Sequence, residues 1–322
     1  MGKGYNHISR RHFSKRTAAA LCSVPFMPLH EWNALSSHTS EEDIKVHLFS
    51  KHLQFLGYEE MSELAADIGF DGLDLTVRPK GHVLPENVQD DLPKAVEAMR
   101  KYGLQPRMMT TKVLDAHAEI DQQVLKTASK LGLTHYRTGW LSYPEDRSIQ
   151  ESQEIYKSLF KSLEAANEKW GLIGCYQNHA GKHVGAPIWD LPPMLPGPQS
   201  KHLGSQYDIR HAVVEGGMSW ELDLRLIAPY IRSIVIKDFK WGMQEGQWKP
   251  VNTPLGEGMV DFDHYFSLLK KYGINVPISL HLEYDLGGAE HGAKQISVDK
   301  KVVYAKMKKD LTFLRKAWKT AE

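Results

Sequence analysis

The chain is poor in the features that mark several large protein classes. It holds 2 cysteines in 322 residues, Cys22 and Cys175, which excludes a disulfide-stapled scaffold and any CxxC metal site. Charge of one sign is also lacking. The 40 basic side chains are offset by 39 acidic ones, so the electrostatic footprint of a nucleic-acid partner is missing. No apolar run reaches the roughly 20 residues of a spanning helix. Nor does a glycine-rich turn follow a strand directly, as the nucleotide site of an open doubly wound sheet requires.

Glycine stands before strands instead. Amphipathic segments end at Gly69, Gly103, Gly132, Gly171 and Gly273, and each runs straight into a β-rich stretch: FDGLDL, LQPRMM, LTHYRT, LIGCYQ and INVPIS. Glycine most cheaply adopts the left-handed turn past a helix end. Helix, glycine and short apolar strand, repeated, is the pattern of parallel α/β units. Strands are expected at 44–49, 72–77, 105–109, 134–138, 172–177, 205–207, 233–236 and 277–282. Helices are expected at 58–68, 92–102, 120–131, 149–170, 220–231, 262–272 and 299–318, with a Pro/Gly-rich excursion at 181–204 serving as a lid or shoulder and a second long loop, holding Trp241 and Trp248, running to Gly258. These units predict a single (β/α)8 TIM barrel over residues 42–322, whose chemistry would sit where the strands end.

Residues 1–41 read as a leader. Ser9-Arg10-Arg11-His12-Phe13-Ser14-Lys15 resembles the twin-arginine export motif, and a weakly apolar stretch follows from Thr17 to Leu29. A charged start and a modest apolar core are those of a removable secretory signal, which implies a periplasmic location and no membrane contact beyond export.

Residues two apart on a strand share a face. Gln177 and His179, Asp208, and His281 and Glu283 are therefore strand-end groups that can converge over a barrel mouth. Two carboxylates, imidazoles and an amide oxygen suit Mn, Mg, Co or Zn. They equally suit a buried hydrogen-bonded layer without metal. With a metal or without one, Glu283 is the candidate base and Lys237 the group that would polarise a carbonyl; a salt bridge across the mouth is the plainer role for Lys237. Arg78 and Arg137, with His82 nearby, could grip hydroxyls or a carboxylate, or anchor their loops. Trp140, Trp241 and Trp248 offer indole faces to a sugar ring or plug the mouth.

The segments YQNHAG (176–181), QYDIRHA (206–212), VIKDF (235–239), PLGEGMVDF (254–262) and SLHLEYDLGG (279–288) resemble the xylose isomerase-like TIM-barrel superfamily of sugar phosphate isomerases and epimerases. The resemblance implies a small-molecule carbohydrate substrate, a divalent metal and a homodimer as candidate assembly; the superfamily also includes endonuclease IV, but the balanced charge, the leader and the lack of a His-rich zinc set argue against nucleic acid. Carried over by position, it makes Asp208 and Glu283 metal ligands and His211 a substrate-contacting or proton-relay group. From their place at the strand ends and mouth loops, His179 or His281 could supply a further ligand, and Arg210, Gln177, Arg78, Arg137 and Trp241 are candidate substrate contacts. Two positions depart from the family pattern: Gln177 replaces a glutamate and Val235 a histidine. Valine cannot ligate and an amide cannot exchange a proton, so a metal-free site using Lys237, Arg210 and His211 stands as the alternative. The expected activity is isomerisation or epimerisation of a free or oxidised sugar, an inositol or a related polyol through an enediol. A keto-sugar lyase or dehydratase, or a catalytically decayed sugar-binding barrel, are the rivals.

Overall fold

All five glycines at the expected helix ends adopt positive φ, from 65° to 105°, and each turns the chain into a barrel strand. The computed structural model describes residues 44–322. Its parallel strands are β1 (Val46–Phe49), β2 (Gly72–Thr76), β3 (Gln105–Thr110), β4 (His135–Arg137), β5 (Ile173–Gln177), β6 (Leu203–Asp208), β7 (Ile231–Ile236) and β10 (Ile278–Leu280). They close in chain order, β10 pairing with β1 through Val46–Ile278, His47–Ser279 and Leu48–Leu280. The architecture is a single (β/α)8 barrel. The leader and its arginine pair lie outside the described residues.

The outer helices are α1 (Tyr58–Ile68), α2 (Val88–Lys101), α3 (Glu119–Lys130), α4 (Ile149–Trp170), α5 (Ile209–Gly216), α6 (Trp220–Ile227), α7 (Phe262–Lys271) and α8 (Lys300–Thr320). Helix α4 shows why sequence and structure agree so closely there. Ser148 accepts from the Glu151 amide while Glu151 caps Ser148 in return, and Gly171 ends the helix in the left-handed region; both ends are thus chemically fixed.

Two expectations needed correction. The helix expected at 220–231 ends at Ile227, because Pro229 lies in a 3-10 turn that leads directly into β7 at Ile231. The loop expected to run to Gly258 folds into an antiparallel hairpin, β8 (Asp238–Gln244) and β9 (Gln247–Thr253). Of the two roles expected for the 181–204 excursion, its packing is that of a shoulder, since Val184, Ile188, Leu191, Met194 and Leu195 are buried against the core.

The chain returns from the hairpin through Leu255–Val260, and one carboxylate fixes that path. Asp238 accepts from the amides of Phe239 (2.8 Å), Gly256 (3.0 Å), Gly258 (2.9 Å) and Val260 (3.2 Å). A Cβ on Gly258 would collide with the Asp238 carboxylate and the Phe239 carbonyl. The glycines of LGEG therefore let the backbone wrap Asp238 closely.

Helix α8 is tied to the barrel by Tyr284, whose hydroxyl donates to Asp310 at 3.0 Å. Burial pushes the Asp310 carboxyl up to about 7, with Tyr284, the Leu255 amide and Lys309 opposing only in part. The folded chain thus keeps a proton that the unfolded chain releases near 3.8. The stability this supplies is complete below that ordinary value and is lost as pH rises through about 7. Asp310→Asn cannot ionise and still accepts from Tyr284. Its unfolding free energy relative to wild type, from denaturant melts, should rise from pH ~5 to pH ~8 by up to about 3 kcal/mol, at about 1.4 kcal/mol per pKa unit. A difference that does not change with pH would show that Asp310 is not the source.

Candidate active site

The C-terminal ends of the barrel strands carry a polar stack built from the strand alternation. At its base, inside the barrel, Asp74 of β2 accepts from Thr110 of β3 at 2.9 Å and from Ser279 of β10 at 2.6 Å. His281, two residues above Ser279 on the same face, lies 3.1 Å from the Ser279 oxygen through Nε2. Ser279 gives its proton to Asp74, so His281 Nε2–H donates to Ser279 and Nδ1 is left as a lone pair. That Nδ1 has no hydrogen-bond partner among the described residues. The His281 ring stacks on Phe49 at 4.1 Å between centroids, and burial lowers its pKa to about 3.

Above this layer Lys237, the residue after β7, is the focus. Its ammonium lies 3.1 Å from Asp208 Oδ2, 3.3 Å from Glu283 Oε2 and 2.8 Å from His211 Nε2. Lys51, on the turn after β1, takes the other Glu283 oxygen at 3.2 Å. Asp208 caps α5 through the His211 amide at 3.2 Å and accepts from Gln177 Nε2 at 2.8 Å. The Gln177 carbonyl in turn accepts from Arg137 at 3.2 Å.

The two carboxylates differ in environment. Burial raises the Asp208 pKa, and the nearby Lys237 offsets this only in part. Burial works against the Glu283 charge too, but Lys237 and Lys51 outweigh it and hold its pKa well below the ordinary value. Asp208 is fully buried, whereas the Glu283 side chain is 24% exposed. Glu283 is therefore the ionised carboxylate that a ligand can reach.

A small cavity of about 50 Å³ opens here, lined by Glu283, Lys51, Lys237, Arg78, Arg137 and His281, together with Gln177, His179 and the rings of Phe49 and Trp140. Of the expected site residues, Glu283, Lys237, Arg78, Arg137, Gln177, His179 and His281 come together around it. Asp208 and His211 sit directly behind Lys237. Burial, with Lys237 next, holds the His211 pKa well below its usual value. His179 presents Nδ1 to the Ala180 carbonyl at 2.9 Å, so Nε2 is its free lone pair; burial lowers its pKa to about 4.

Several expectations change. Trp241 does not line the cavity; it stands on the hairpin, 42% exposed, with its edge toward Phe239. Arg210 packs over Phe239 and contacts His211 Nδ1 at 3.1 Å, so it braces His211 rather than meeting substrate. Neither it nor His211 lines the cavity. Lys51 and Phe49 were missed; their signal was their place at the end of the first strand.

The expected metal set, Asp208 and Glu283 with His179 or His281, is not assembled. Among the described residues no three His, Cys, Asp or Glu side chains converge as a metal site. The physical reason is Lys237, whose ammonium already occupies the point between the two carboxylates. Gln177 spends its oxygen on Arg137, His281 Nδ1 lies 3.7 Å from Glu283 Oε1, and Val235 has no donor. This donor set fits a fixed monocation and does not fit a divalent ion.

The model of the xylose isomerase-like TIM-barrel family matches residues 62–299. No curated protein matches the sequence. Among solved structures, D-allulose 3-epimerase from Methylomonas sp. aligns at 15% identity and a TM-score of 0.60, covering 85% of this chain and 98% of that one. A probable 3-DHS dehydratase from Bacillus anthracis aligns at 15% identity and 0.58, covering 84% and 98%. The 3-keto-D-glucoside 4-epimerase of E. coli aligns at 12% and 0.58, covering 85% and 99%. Identities this low establish a shared fold.

If Lys237 holds the centre, Lys237→Met leaves the buried Asp208 charge without a cation and Glu283 with Lys51 alone, and should cost about 3–5 kcal/mol, with part recovered by adding Asp208→Asn. Mn²⁺ should leave the wild-type melting temperature unchanged and raise that of Lys237→Met, whose carboxylates no longer share an ammonium. One divalent ion per wild-type chain, measured by elemental analysis, would overturn the lysine-centred site.

Proposed function

The chain belongs to the xylose isomerase-like TIM-barrel family, and from that premise we propose that it is a sugar isomerase or epimerase acting on a free or oxidised sugar or polyol. The observation that carries this reading is the Glu283–Lys237 pair at the barrel mouth: an ionised carboxylate and an ammonium 3.3 Å apart, facing one cavity. The Glu283 carboxylate removes the proton from the carbon beside a carbonyl. The bonding pair moves onto the carbonyl oxygen, giving an enediolate, and Lys237 donates to that oxygen. Stabilising charge where it develops is the main lever available to such a site.

The ground-state geometry fits this division of labour. While Lys237 and Lys51 hold Glu283, its pKa is low and its basicity weak. Turning the ammonium toward the substrate oxygen withdraws one of the charges that depress it, so the base strengthens as substrate binds. His281 Nδ1 and His179 Nε2, both neutral lone pairs, accept from sugar hydroxyls and orient the ring.

With Gln177 in place of a second carboxylate, the site offers Glu283 as its one carboxylate base. A single base returns the proton to the adjacent carbon on the same face, which is isomerisation through a cis-enediol. The same observation supports a second reading, loss of a β-hydroxyl from the enediolate as water, which is the lyase or dehydratase route. The twin-arginine-like motif supports action in the periplasm; residues 1–41 fused to a reporter should export it, and Arg10→Lys/Arg11→Lys should abolish that export.

Aldoses, ketoses and their acids incubated in D2O separate the readings. A product of unchanged composition carrying solvent deuterium supports the isomerase, and a product lighter by one water supports the dehydratase. Binding with no exchange would sink both and leave a sugar-binding barrel. Glu283→Gln should lower turnover by about 10²–10⁴-fold, the usual share of a general base.

A further inference from the structure

The cavity is lined by four cationic side chains, Lys51, Arg78, Arg137 and Lys237, against one carboxylate, Glu283. Lys51 and Lys237 are both paired with Glu283. The two arginines are not: among the described residues neither forms a salt bridge. Arg137 is 4% exposed. It donates to the neutral oxygens of Gln177 (3.2 Å) and Thr111 (3.3 Å), and its Nε has no partner. Its guanidinium carbon lies over Trp140, 4.2 Å from the ring centroid, while that of Arg78 sits 5.5 Å from the Phe49 ring centroid.

The nearby acids make no direct contact with them. Both Asp74 oxygens accept from the neutral hydroxyls of Thr110 and Ser279, so the Asp74 charge reaches the arginines only through space, and Asp208 is taken by Lys237, Gln177 and the His211 amide. Two guanidiniums thus face one cavity without a direct carboxylate partner, and a buried charge in that state is costly. Burial and then the charge of Arg78 depress the Arg137 pKa to about 9, with Asp74 and Glu283 opposing only in part.

We infer that the substrate of the proton-transfer reaction proposed above carries a carboxylate, and that Arg78 and Arg137 bind it. The class is a sugar acid or a hydroxylated cyclic acid, with the carbonyl end directed to Lys237 and Glu283. Planar guanidinium forks match a carboxylate with paired hydrogen bonds. A phosphate fits less well. TIM barrels take phosphates on backbone amides of the loops after the last two strands, and here the amides of Gly256, Gly258 and Val260 are all consumed by Asp238.

Calorimetric titration of the described barrel chain, with its full N-terminus, against matched probes tests this. The pairs are D-glucuronate with D-glucose, D-galacturonate with D-galactose, and quinate with myo-inositol, with D-glucose 6-phosphate as the phosphate arm. At least one acid should bind about tenfold to a hundredfold better than its neutral partner, the range for hydrogen bonds to charged groups. Arg78→Gln, at a partly buried position, should bring that ratio close to one. Arg137→Lys should retain more of it than Arg137→Gln, because it keeps the charge and loses the fork.

No acid preference in any pair, a preference for the phosphate, or an acid preference that survives both arginine variants would each overturn the inference. The reaction proposed above fails separately. Acid preference without deuterium exchange would leave the carboxylate subsite standing and remove the proton transfer, and exchange on neutral sugars alone would do the reverse.

Discussion

One buried ammonium organises the mouth of this barrel. Lys237 touches Asp208, Glu283 and His211 at once, and each of those contacts fixes something further. Asp208 is held where it caps α5 and orients Gln177; the Gln177 amide, its NH2 turned to Asp208, presents its oxygen to Arg137. Glu283 is held ionised at the cavity wall. His211 is braced from behind by Arg210. A buried salt bridge is weak evidence for stability, because desolvation cancels much of the attraction. Its value here is positional: removing any member strands a charge in a site that water scarcely reaches.

The position of Lys237 is secured by its neighbour. Asp238 gathers four backbone amides and so pins the loop that returns from the hairpin. The side chains of 237 and 238 point to opposite sides of the strand end, as alternation requires; one faces the cavity and the other nails down the loop. Below them the Asp74–Ser279–His281 chain sets the tautomer of His281, and the stacked Phe49 ring sets its plane. The site is therefore carried by rigid strand ends and packed rings, the arrangement in which catalytic geometry is held best.

The fold was legible because its signals are local. A glycine past a helix end and a capping box at Ser148 depend on a few adjacent residues, and the barrel follows from their repetition. The hairpin at 238–253 was not legible, since β-pairing of polar, Trp-bearing segments depends on partners rather than on pattern. For the site, strand parity placed Glu283, His281, Asp208 and Gln177 correctly at the mouth. What parity cannot supply is which atom stands between two carboxylates. That depends on the reach of the Lys237 side chain across the barrel, a three-dimensional fact, and it is why a metal remained a live expectation from residue types alone. Lys51 escaped notice for a similar reason: it sits on a turn with no motif, and only ring closure brings β1 beside β10 and Glu283. Trp241 erred in the opposite direction, a residue of the right type on an element that leads away from the cavity.

Gln177 and Val235 belong to one physical account with Lys237. A divalent ion concentrates two charges at a point and needs several anionic or lone-pair donors turned inward. A lysine delivers one charge at the same point, needs fewer acceptors, and would be repelled by none of the ligands that an amide and a valine replace. The rest of the positive field is then spread over Lys51, Arg78 and Arg137 around the wall. Those three charges face only Glu283 and the more distant Asp74, so the mouth of the empty barrel carries an excess of positive charge. An anionic ligand balances it, and the same charges that bind such a ligand lie where an enediolate oxygen would form. Binding and activation thereby draw on a single field, which is strongest only when the substrate itself brings the missing negative charge.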